Sequence, residues 1–125
     1  MASSFSKNFG LYNERTGALT VVSPSGQEAA VAKSHLDLTV RVCYSNPPAH
    51  GGLIVKTVLS DPDLEQNWRR QLEQMCKRII SMRSALVEGL ASRGVDGDFS
   101  YIKKQRGMFS FSGLSDETVA WLKAN

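Results

Sequence analysis

The sequence predicts an α/β fold, and three observations support this prediction. The short segment 18–22 is β-branched and lies between turn-forming residues, which is typical of a strand. The segment 62–93 repeats apolar residues at helical spacing, which is typical of a long amphipathic helix. The C-terminal part alternates aromatic and polar residues before a capped segment, a pattern that favours two strands followed by a helix.

The first half of the chain is predicted to hold one strand and two helices. We expect Ala18–Val22 to form a buried strand. Ser25 and Glu28 have the spacing of a capping box, so a helix should begin there, and the two prolines after Asn46 should end it. A second helix is predicted over residues 52–59, with four apolar side chains turned inward: Leu53, Ile54, Val55 and Val58.

The long helix is the clearest element. Asp61 can cap it, Pro62 suits its first position, and Gly94 can end it. One apolar stripe runs along it, formed by Leu64, Trp68, Leu72, Met75, Ile79, Met82, Leu86 and Leu90. At about 1.5 Å per residue it would be roughly 48 Å long, whereas a small domain is only about 30 Å across. We therefore expect this helix to bridge two lobes or to pair with another chain.

The tail is predicted to form two strands and a final helix. The strands are expected over Asp98–Ile102 and Gly107–Phe111, which are aromatic-rich and separated by a charged loop. Ser115 precedes two acidic residues and should cap the last helix.

Composition excludes several classes of function. The net charge of +3 is too small and dispersed to indicate nucleic-acid binding, and the basic cluster at 103–106 is interpreted as solvated loop surface. No apolar run approaches the roughly twenty residues that span a bilayer. The two cysteines and two histidines fit no metal spacing. Both thiols are expected to be reduced in a cytoplasmic compartment, although an organellar location stays open.

The segment around Lys7 contains the candidate catalytic and cofactor-binding residues. A lysine that acts as a nucleophile must be deprotonated, and nearby cationic charge favours the neutral amine. The hydroxyls of Ser4 and Ser6 and the guanidinium of Arg15 could together hold a phosphate. An amine beside a phosphate site is what a pyridoxal phosphate enzyme requires. The alternative for Arg15 is a surface ion pair with Glu14.

Three segments carry a family resemblance. Ser4–Arg15, Arg41–Gly51 and Gln105–Leu114 are similar, in the same order, to motifs of the class I aspartate and aromatic amino acid aminotransferases. The resemblance implies a fragment of a fold-type I, pyridoxal phosphate-dependent transferase. Residues 1–70 would be the C-terminal part of the large cofactor domain. Residues 71–125 would be the rest of the interdomain helix and the first part of the small α/β domain.

The resemblance also implies roles for seven residues. Lys7 would form a Schiff base with pyridoxal 5'-phosphate and move protons during amino-group transfer between an amino acid and a 2-oxo acid. Ser4, Ser6 and Arg15 would bind the cofactor. The substrate, aspartate or glutamate with aromatic amino acids as an alternative, would be bound by Arg41, Ser45 and Asn46. The active site would be shared between the subunits of a homodimer.

Two other interpretations stay open. Ser4–Lys7 satisfies the S-x-x-K motif of serine-acylating penicillin-binding proteins, but the companion S-D-N and K-T-G motifs are absent from the sequence. The second alternative is a non-catalytic truncated fragment or a dimerisation module, because the resemblance implies that the partner of the pyridine nitrogen and the arginine for the α-carboxylate would lie outside these 125 residues.

Overall fold

The computed structural model describes residues 1–125. In chain order its elements are β1 (Ala2–Ser4), β2 (Gly17–Leu19), α1 (Gly26–Cys43), α2 (Ala49–Ser60), α3 (Pro62–Ser92), α4 (Tyr101–Lys104) and α5 (Asp116–Ala124). The chain divides into two compact units, Met1–Arg70 and Gln71–Asn125. None of the helices combines the length and the apolar character needed to cross a membrane.

The two strands form an antiparallel hairpin. Ser4 lies opposite Gly17, and beyond this pair the Phe5 amide donates to the Thr16 carbonyl at 3.0 Å. A Cβ at residue 17 would lie 2.6 Å from the carbonyl oxygen of Ser3, so a larger residue would push the strands apart. The hairpin therefore closes residues 6–15 into one loop.

The expectation of a buried strand over Ala18–Val22 is wrong. β2 ends at Leu19, all three of its residues are exposed, and Val22 is 91% exposed. The sheet has only these two strands. Residues 18–22 are all exposed, so the β-branched side chains among them are not buried in an apolar layer.

The predicted start of α1 is confirmed, and its end differs. The Ser25 hydroxyl accepts from the Glu28 amide at 3.2 Å. α1 ends at Cys43, before Asn46, because the amides of both Tyr44 and Ser45 turn back to the carbonyl of Val40. This tight turn forces Ser45 to a positive φ of 68°.

α2 begins at Ala49, directly after Pro48, which is three residues earlier than predicted. Of the four apolar side chains expected to face inward, Val55 is buried, whereas Leu53 is 56% exposed. The inward expectation is thus wrong for Leu53.

α3 agrees closely with the prediction, with 31 residues. The Asp61 carboxylate accepts from the amides of Asp63 and Leu64, at 2.9 and 3.1 Å, and so caps the helix. Gly94 follows the C-terminal end with a φ of +66°, in the left-handed region that glycine tolerates.

Neither of the two predicted C-terminal strands forms. The first, Asp98–Ile102, is replaced by the single helical turn α4, which starts after the Asp98 carboxylate accepts from the Ser100 amide at 2.8 Å. The second, Gly107–Phe111, is irregular, and Phe109 and Phe111 are 74% and 76% exposed. The capped helix predicted after Ser115 is confirmed as α5.

Side chains take the hydrogen bonds that a neighbouring strand would have made. The buried guanidinium of Arg83 donates to the carbonyls of Gln105, Gly107 and Phe109, at 2.6, 2.8 and 2.9 Å. The Gln105 amide group bonds both the N–H and the C=O of Phe111, at 2.8 and 2.9 Å. Alternate carbonyls of 105–111 are therefore hydrogen-bonded without a sheet, which agrees with the absence of the predicted strand.

Candidate active site

Lys7 lies in the loop that the hairpin closes. The amide of Gly10 donates to the Lys7 carbonyl at 3.2 Å, and the amide of Leu11 donates to the Phe5 carbonyl at 3.4 Å, so the chain turns sharply around the lysine. The Lys7 side chain is exposed, and its Nζ lies 4.4 Å from the centre of the Tyr12 ring. The amine is thus presented at the surface of the loop over an aromatic face.

Arg15 contacts the backbone of the same tyrosine. Its Nη1 donates to the Tyr12 carbonyl at 2.9 Å. The alternative ion pair between Arg15 and Glu14 does not form, because the Glu14 carboxylate contacts His50 Nδ1 at 2.9 Å. Lys7 and Arg15 therefore both engage Tyr12, which brings the two predicted cofactor-binding cations to one residue.

Ser4 and Ser6 are linked to each other. The Ser4 hydroxyl donates to the Ser6 hydroxyl at 3.1 Å and accepts from the Ser6 amide at 3.2 Å. Ser4 is exposed and Ser6 is buried. The register that pairs Ser4 with Gly17 places it beside the strand that follows Arg15. The hairpin thus carries all four predicted cofactor-binding residues at the same end.

Trp68 fixes the part of the loop that follows Lys7. Its ring stacks on Phe9, with centroids 4.6 Å apart, and its Nε1 donates to the Asn8 carbonyl at 2.8 Å. Phe9 also packs edge-on against Phe5 at 5.4 Å. This aromatic cluster holds the backbone on both sides of the lysine.

The three predicted substrate-binding residues also lie together. Arg41 is in the last turn of α1, and Ser45 and Asn46 follow the end of that helix. With Asp37 and Val40 they line an open concavity of about 440 Å³. Lys7 does not line this concavity.

Sequence reasoning missed two features of these sites. Asp37 precedes Arg41 by four residues on α1, and this spacing could have placed both on one helix face. The contact between Glu14 and His50 joins residues 36 apart in the chain, and no local pattern signals such a pair.

A match to a known protein family identifies the family of this chain. The model of the family described as aminotransferase class I and II matches residues 1–124. The chain belongs to this family. The predicted family and the predicted fold class are thereby confirmed.

Individual relatives agree along nearly the whole chain. It is 50% identical to an aspartate aminotransferase of Haemophilus influenzae over 123 residues, which cover 98% of this chain and 31% of that protein. It is 47% identical to a rice aspartate aminotransferase named as cytoplasmic, with 98% and 30% covered. The chain thus spans about a third of the length of the curated relatives it matches.

Solved structures show the same similarity in three dimensions. An aromatic-amino-acid aminotransferase from Burkholderia pseudomallei, covalently bound to pyridoxal phosphate, superposes with a TM-score of 0.92 at 50% identity. A mitochondrial aspartate aminotransferase from Trypanosoma brucei superposes with a TM-score of 0.91 at 43% identity. In both cases 98% of this chain is covered, against 31% and 32% of the solved chain.

Proposed function

We propose that the protein containing this chain transfers an amino group between an amino acid and a 2-oxo acid, with pyridoxal 5'-phosphate attached at Lys7. The observation that carries the proposal is that Lys7 contacts the ring and Arg15 the carbonyl of Tyr12, in the loop that follows the strand ending at Ser4. The names of the relatives, which are aspartate and aromatic aminotransferases, support the same reaction.

The residues of the loop fit the cofactor. Arg15 uses only Nη1 within the chain, so its remaining N–H groups can donate to a phosphate in the paired geometry that a guanidinium favours. The exposed Ser4 hydroxyl can rotate from Ser6 toward a phosphate oxygen. The Lys7 amine is exposed on the same loop, where an aldehyde can reach it.

In the proposed reaction, the bound cofactor supplies an aldehyde and an electron-withdrawing ring that stabilises negative charge. Lys7 would hold the aldehyde carbon through its ε-amine, with loss of water, and would release it to the amine of the arriving substrate. The ε-amine of Lys7 would then take the proton from the substrate α-carbon and return it at the C4′ atom of the cofactor. One flexible side chain therefore acts as base and acid, while Arg15, Ser4 and Ser6 hold the phosphate end in place.

Arg41 would determine the substrate specificity. A planar guanidinium binds a carboxylate through two parallel hydrogen bonds, so we propose that Arg41 binds the distal carboxylate of aspartate or glutamate. Ser45 and Asn46, which line the same concavity, would add polar contacts. We further propose a homodimer in which Arg41 serves the active site of the other subunit, in a cytoplasmic setting like that named for the rice relative.

The absorption spectrum of the full protein tests the role of Lys7. A lysine-linked pyridoxal phosphate absorbs in the near-ultraviolet to visible range, and we expect Lys7→Ala to abolish that band. The matched control is Lys56→Ala, an exposed lysine on α2, which should keep it. An unchanged band in Lys7→Ala would show that another residue links the cofactor.

A further inference from the structure

The beginning of α2 contacts the residues on either side of Arg15. His50 Nδ1 lies 2.9 Å from the Glu14 carboxylate, and Gly51, the next residue, is buried against the same stretch of chain. A Cβ at Gly51 would lie 2.8 Å from the Cβ of Glu14 and would clash with the Thr16 hydroxyl. Only a glycine therefore lets α2 approach closely enough for His50 to meet Glu14.

Arg15 has an unusual backbone that its neighbours hold in place. Its φ is +50°, in the left-handed region that costs a non-glycine residue about 1 kcal/mol or more. The Thr16 hydroxyl donates to the Glu14 carbonyl at 3.2 Å, and the Thr16 carbonyl accepts from the Phe5 amide at 3.0 Å. These hydrogen bonds of the neighbouring residues fix the backbone at Arg15, and the backbone sets the direction in which the Arg15 side chain leaves the loop.

The charge next to Arg15 presents a difficulty for phosphate binding. Glu14 is adjacent in sequence, and a carboxylate beside a guanidinium competes with a phosphate for the same donors. In the structure the Glu14 carboxylate is bonded to His50, and Arg15 forms no ion pair. The guanidinium consequently remains available to a ligand from outside the chain.

We propose that His50 is a positioning residue for cofactor binding. By holding the Glu14 carboxylate at the start of α2, it keeps that carboxylate away from Arg15 and leaves the guanidinium to the phosphate. This inference rests on the function proposed above, in which Arg15 binds the phosphate of the cofactor.

Comparing pyridoxal phosphate with pyridoxal isolates the effect on the phosphate. Both compounds offer the aldehyde to Lys7, and only the first carries the phosphate. In the full protein freed of cofactor, His50→Ala should lower the affinity for pyridoxal phosphate about two- to fivefold, the size expected for an exposed polar contact. The affinity for pyridoxal, measured by the same absorbance titration, should not change.

A second substitution tests the stated cause. In the double variant His50→Ala/Glu14→Gln, residue 14 has no charge with which to compete, so the preference for pyridoxal phosphate over pyridoxal should return toward the wild-type value. The control His35→Ala, which removes the exposed histidine of α1, should leave the preference unchanged.

The outcomes separate this inference from the proposed function. If Arg15→Ala lowers the preference and His50→Ala does not, or if His50→Ala weakens both compounds equally, the role of His50 is refuted while that of Arg15 stands. If Arg15→Ala itself leaves the preference unchanged, the assignment of the phosphate to Arg15 is wrong and the role of His50 is lost with it.

Discussion

Arg41 is the residue on which substrate choice depends in our proposal. Arg41→Ala should lower kcat/KM for aspartate by about 10²- to 10⁴-fold, because a hydrogen bond to a charged group contributes about 1.5–3 kcal/mol and two are lost. An aromatic substrate, which has no distal carboxylate, should lose much less. Steady-state kinetics with both substrates in the full protein measures the difference.

Arg41→Lys is the informative companion to that variant. Lysine keeps the charge but offers a point charge in place of a planar fork, so the loss for aspartate should be intermediate. Equal losses for the dicarboxylic and the aromatic substrate in Arg41→Ala would contradict a role in binding the distal carboxylate.

The four residues proposed to bind the cofactor could be proposed from the sequence because they lie within one short segment, Ser4–Arg15. The sequence could not show which of Ser4 and Ser6 is accessible to a ligand. The two differ in burial, which arises when the hairpin closes: Ser6 becomes buried, whereas Ser4 stays exposed. The contact between Glu14 and His50 could not be predicted from the sequence, because it forms only when α2 folds back onto the loop.

Among the elements, the four longer helices were predictable, whereas the short helix α4 and the extent of the strands were not. Helix ends are encoded locally: Ser25, Asp61 and Ser115 each accept a backbone N–H two or three residues onward, as their sequence spacing predicts. A strand needs a partner that sequence periodicity does not supply. In 107–111 the Arg83 guanidinium took the place of that partner.

The Arg83 side chain is expected to stabilise the segment 105–111. It is 7% exposed, and besides its three carbonyl contacts its Nε donates to the Ser110 hydroxyl at 2.9 Å. Arg83→Ala should lower the free energy of unfolding by about 2 kcal/mol, because several hydrogen bonds from a charged donor are lost while the exposed carbonyls regain water. Urea unfolding of the full protein measures this change.

Arg78→Ala provides the control on the same helix. Arg78 is exposed, so its removal should change the free energy of unfolding by less than about 0.5 kcal/mol. If the two variants were equally stable, the hydrogen bonds of Arg83 would make no net contribution.

At the scale of the whole molecule, the chain buries very little apolar surface. Val55 and Ile102 are its only buried hydrophobic residues, while large apolar side chains such as Val22, Phe109 and Phe111 are exposed. Burying a large side chain contributes about 1.5–3 kcal/mol, so two buried hydrophobic residues give the chain little stability from a core.

We therefore expect the 125-residue chain, expressed by itself, to unfold without a sharp cooperative transition and to bind a hydrophobic dye. Its transaminase turnover should be negligible. Calorimetry and dye fluorescence check the first two expectations. A single sharp transition without dye binding would mean that the exposed apolar surface needs no partner.

The attachment point of the cofactor tests the central claim most directly. The full protein, loaded with pyridoxal phosphate, is reduced with borohydride so that the bond to the amine becomes permanent, and its peptides are then mapped by mass spectrometry. We predict the phosphopyridoxyl group on the peptide that contains Lys7. Its presence on a different lysine, or on none, would contradict the account.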